Sequence, residues 1–146
     1  MKICICVDPM SSSIFDYDVD KEYEEIKKEF VERFHGIELE FETQVMPHHL
    51  DNKPLDVYVF DYGGMMPGCE DLIKSLFREF IKQAEDHPNT AFVLFSNFSE
   101  RWYKEMIEAD FSQYVENKQH NVIFKVSLDR EDDDVFVERV KLITGV

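Results

Sequence analysis

The chain has 146 residues, 44% hydrophobic and 14% aromatic, which is enough for one domain whose core needs no disulfide staples. Its 31 acidic and 16 basic residues leave a formal charge of −15. That balance excludes a cationic face for nucleic-acid phosphates and fits a protein with a basic surface, divalent cations or plain solubility. No apolar stretch reaches the length of a membrane span, and Met1-Lys2 leads into a strand rather than a signal peptide. The cysteines Cys4, Cys6 and Cys69 are odd in number and sparse, which points to a reducing, cytoplasmic setting.

Ile3 to Val7 is a short apolar run and reads as the first strand, with Cys4 and Cys6 on one side of it as small buried hydrophobes. Residues 19 to 35 carry Val19, Tyr23, Ile26, Phe30 and Phe34 at helical spacing, and Gly36 closes that helix. From Ile37 to Val45, apolar residues alternate with Glu38, Glu40, Glu42 and Gln44, the pattern of a half-exposed edge strand. A long loop from Met46 to Leu55 follows. Asp56 to Gly64 then holds the most informative run: Val57, Tyr58, Val59 and Phe60 suit a strand covered on both faces, and Asp61 marks where it leaves the core.

Leu72, Ile73, Leu76, Phe77, Phe80, Ile81 and Ala84 give the clearest helix, stopped by His87-Pro88-Asn89. Ala91 to Phe95 is another buried strand. Ser99 suits the cap of a short helix with Trp102, Tyr103, Met106 and Ile107. Val122, Ile123, Phe124 and Val126 make the fifth strand, and Asp132 or Asp133 caps a last helix carrying Phe136, Val140 and Ile143. The order β-α-β-β-α-β-α-β-α predicts a single α/β domain over residues 1–146, with a doubly wound, mostly parallel five-stranded sheet of flavodoxin-like type in strand order 2-1-3-4-5.

In that topology polar residues converge on the carboxyl edge of the sheet, where open α/β folds bind ligands. Asp8 ends the first strand, Asp61 the third and Ser96-Asn97 the fourth, while Lys125 lies near the end of the fifth. The set resembles that of response-regulator receiver domains, and Met66-Pro67-Gly68 is similar to the loop after their phospho-accepting Asp. The resemblance implies that Asp8 and Asp61 hold Mg²⁺, that Asp61 accepts a phosphoryl group, and that Ser96 and Lys125 bind its oxygens. Three features depart from the family pattern: Asp8 stands alone before Pro9, Val126 replaces the usual Pro after Lys125, and Tyr62-Gly63-Gly64-Met65 lengthens the acceptor loop.

Other motifs carry less chemistry. Asp61 also suits a turn-capping role before Gly63-Gly64, and no dinucleotide or P-loop fingerprint is present. Ser11-Ser12-Ser13 is followed by Asp16, Asp18 and Asp20, which repel an anion and lack the Gly and Glu of a calcium loop. His48-His49 has no third ligand nearby, and Cys69 has no oriented His partner. Three functions from different classes remain open. The first is a regulatory or interaction module with a receiver-like acidic pocket. The second is an acidic protein-binding or nucleic-acid-mimic protein without chemistry, motivated by eleven acids against four bases between residues 16 and 42. The third is a small enzyme acting on a nucleotide or sugar. Nothing in the sequence specifies the oligomeric state.

Overall fold

The computed structural model describes residues 1–7, 19–44, 55–61, 70–96, 121–126 and 133–146. Five strands form one sheet: β1 (Lys2–Val7), β2 (Glu40–Gln44), β3 (Val57–Asp61), β4 (Ala91–Ser96) and β5 (Val122–Val126). All four pairings are parallel, and the order across the sheet is β2-β1-β3-β4-β5. This is the flavodoxin-like order that the alternation of strand and helix patterns predicts. Three helices are described: α1 (Val19–Arg33), α2 (Glu70–Asp86) and α3 (Asp133–Thr144). The short helix expected after Ser99 lies outside the described residues.

Strand alternation divides the core into two layers. Ile3, Ile5, Val57, Val59, Ala91, Val93 and Ile123 form one buried face with Ile26, Phe30 and Phe34 of α1 and Phe136 and Val140 of α3. Phe30 stacks on Phe34 at 5.7 Å, and Phe136 meets both rings edge-on at 6.0 and 6.2 Å. On the other face Phe80 of α2 touches Tyr58, Phe60 and Phe92 at 6.0, 6.1 and 5.3 Å. Cys4 and Cys6 are fully buried on this side of β1. The uninterrupted apolar runs of β1, β3 and β4 thus follow from having helices on both faces.

Two boundaries are refined. β2 begins at Glu40 rather than Ile37, because its parallel partner begins only at Lys2 and the first ladder bond runs from the Glu40 N–H to the Met1 carbonyl, at 2.9 Å. Before that point the amino group of Met1 donates to the Glu38 carbonyl, and no residue of β1 is left to pair with Ile37. α1 ends at Arg33, and Gly36 follows with φ +75°, the left-handed conformation that a helix-terminating glycine supplies.

Candidate functional site

The parallel register fixes what the carboxyl edge brings together. Val7 pairs with Asp61, Asp61 with Phe95, and Phe95 with Lys125. Asp61 and Lys125 therefore occupy one row across β3, β4 and β5, with Cα positions two strand spacings, about 10 Å, apart. Ser96 is one step further along β4, in register with Val126. Asp61 and Ser96 are the last residues of their strands, and Lys125 is the last but one. Asp8 immediately follows Val7, the β1 member of the same row, but lies outside the described residues together with Asn97. Asp16, Asp18, His48, His49, Gly63, Gly64 and Cys69 also fall outside them.

No protein-family model matches this chain, and no curated protein matches it in sequence.

The acid-rich stretch separates into two different surfaces. α1 carries six acids and four bases, a local charge of only −2. Three of its bases are engaged along the helix: Lys27 with Glu24 at 3.3 Å, Lys28 with Glu32 at 3.8 Å, and Arg33 with Glu29 at 2.6 Å. Lys27 also stands over the rings of Tyr23 and Phe41, at 4.9 and 5.7 Å from their centroids. The following stretch differs. Residues 37–44 hold Glu38, Glu40 and Glu42 with no base, and Glu38 and Glu40 are exposed. Across the ladder Lys2 is in register with Glu40, and it lines one depression with Met1, Glu38 and Glu40, so the carboxylates of this segment are offset only in part.

The opposite, amino edge of the sheet has polar residues that strand patterns do not reveal. The Lys2 N–H donates to Asp56 Oδ2 at 2.7 Å, and the Asp56 N–H returns to the Lys2 carbonyl at 3.0 Å. Asp56, Glu38 and Glu40 line an open depression of about 320 Å³ with Met1 and Lys2. Asn121 is fully buried just before β5, and its Nδ2 lies 2.8, 3.0 and 3.1 Å from the carbonyls of Ala84, His87 and Thr90. Its own carbonyl accepts the Phe92 N–H at 2.7 Å. Thr90 Oγ1 donates to the Leu55 carbonyl at 2.7 Å. These contacts are structural: they join the end of α2 to the starts of β3, β4 and β5, away from the carboxyl edge. Among the described residues no group of three or more His, Cys, Asp or Glu side chains is arranged to hold a metal, and no helix is long and apolar enough to cross a membrane.

Proposed function

We propose that the chain is a small regulatory or interaction module with a receiver-like acidic pocket at the carboxyl ends of its strands. The observation that carries this reading is the shared register row of Asp61 and Lys125, with Ser96 one step beyond on the strand between them. A carboxylate, a hydroxyl and an amine on three adjacent strand ends supply complementary chemistry. Carboxylate oxygens are the hard donors that Mg²⁺ prefers, so the donor set of Asp8 and Asp61 fits that ion. Bound there, Mg²⁺ supplies positive charge against a phosphoryl group.

In this reading a carboxylate oxygen of Asp61 attacks the phosphorus of a small acyl phosphate. The new O–P bond forms as the bond from phosphorus to the acyl oxygen breaks, and the departing carboxylate keeps the electron pair. Lys125 and Ser96 bind the phosphoryl oxygens through an ammonium and a hydroxyl. Isothermal titration calorimetry with MgCl₂ tests the pocket: binding is expected in the parent chain and at least about tenfold weaker in Asp61→Asn, which lacks one anionic ligand. Equal binding in both proteins would remove Asp61 from the site.

A second reading rests on the three carboxylates of residues 38–42, which Lys2, in register with Glu40, offsets only in part. Glu38 and Glu40 are exposed and have no base beside them in sequence, which suits a partner with a basic surface. This function needs no chemistry. It predicts salt-sensitive capture of a basic protein that Asp61→Asn does not alter.

A further inference from the structure

Among the described residues β2 is the terminal strand of the sheet, and its backbone is paired with β1 alone. The bond from the Glu40 N–H to the Met1 carbonyl and the register of Lys2 with Glu40 show which groups are used. In a parallel ladder alternate residues turn both N–H and C=O to the same neighbour. Glu40 and Glu42 therefore face β1, while Phe41 and Thr43 turn their N–H and C=O groups outward. Two donors and two acceptors lie in a row along this edge, beyond which no further strand lies among the described residues.

The side chains flanking that row differ on the two faces. On the α1 face Ile37, Leu39 and Phe41 are half-buried and pack against the core with Tyr23. On the other face Glu40 and Glu42 alternate with them, continuing from the exposed Glu38. An added strand would thus meet apolar surface with every second residue and carboxylates with the residues between. A second copy of this chain is a poor occupant, because its own β2 would set glutamates against glutamates. Charge complementarity selects a basic one.

We propose that the outer edge of β2 receives an extended segment of a basic protein as a sixth strand, with aliphatic residues on the α1 face and Lys or Arg opposite Glu40 and Glu42. Backbone pairing to Phe41 and Thr43 supplies affinity, and the alternating side chains supply selectivity. The proposal rests on the second reading above, that the glutamate-bearing edge binds a basic partner.

The test uses a synthetic peptide of about ten residues alternating lysine and valine, and a copy N-methylated at alternate backbone nitrogens on its pairing edge. Binding of the first is expected, with the N-methylated copy at least about tenfold weaker after losing two or more hydrogen bonds. Amide exchange at Phe41 and Thr43 is expected to slow on binding. Thr43→Pro removes one outward N–H and takes no bond from β1, so the fold is retained, as its thermal transition will verify, while affinity falls. Equal binding of both peptides, with no protection at Phe41 and Thr43, would overturn strand addition and leave the acidic-surface reading standing. Binding of neither peptide would overturn both.

Discussion

Asp61 and Lys125 are both in register with Phe95, so a carboxylate-bearing and an amine-bearing position share one row near the carboxyl edge of the sheet. Parallel pairing makes this relationship rigid. A slip of one residue in either β3 or β5 would exchange the two faces of that strand, placing Val57 and Val59, or Ile123, on the wrong layer. The core that fixes the register thereby fixes the spacing of the candidate pocket.

Lys2 and Asp56 grip each other at the other end of the sheet, through the 2.7 Å bond to Asp56 Oδ2 and the 3.0 Å bond back to the Lys2 carbonyl. Only the first needs the side chain. Asp56→Ala is expected to lower stability by about 1 kcal/mol, and Asp56→Asn, which keeps an acceptor, by less than half of that. Urea unfolding checks the pair: the midpoint should fall with an unchanged slope.

Asn121 donates toward the carbonyls of Ala84, His87 and Thr90 from a fully buried position. Asn121→Ala removes that donor and leaves a small polar-lined gap, at an expected cost of about 2 kcal/mol. Asn121→Asp should cost at least as much, because an ionised carboxylate turns acceptors toward acceptors. A denaturation midpoint for Asn121→Asp equal to that of the parent would contradict the assignment of Nδ2 as the donor.

Gly36 has φ +75° with no atom within 4 Å of where a Cβ would stand. Any penalty at this position therefore comes from the backbone alone. Gly36→Ala is expected to cost roughly 1 kcal/mol, and Gly36→Asn less, since Asn adopts the left-handed region more readily. Thermal unfolding of the two variants gives the ranking.

Much of the fold is legible in the sequence because local patterns and tertiary burial agree. The run Val57–Phe60 is buried on both faces as its composition requires, and the glutamates of β2 sit on the strand that ends the sheet. The start of β2 is not legible, since it depends on where β1 begins, 38 residues earlier along the register from Glu40 to Lys2. Asn121 leaves no local signal either: it reads as a turn residue before a strand, and its three acceptors are 31 to 37 residues away. Asp56 looks like a solvated loop acid until β1 is laid beside it. For the candidate pocket, strand-end positions are legible, and the register aligns the positions of Asp61 and Lys125 with Phe95. The acid run from 16 to 42 is less uniform than it reads, because ion pairs along α1 absorb much of its charge.

We propose that Asp61 accepts a phosphoryl group, with Ser96 and Lys125 binding its oxygens. The most direct test is an intact-mass spectrum after incubation with Mg²⁺ and a small acyl phosphate, run beside Asp61→Asn. A single phosphoryl adduct in the parent chain, absent from Asp61→Asn, is the predicted result. No adduct on the folded parent, or an adduct that persists in the variant, would contradict it.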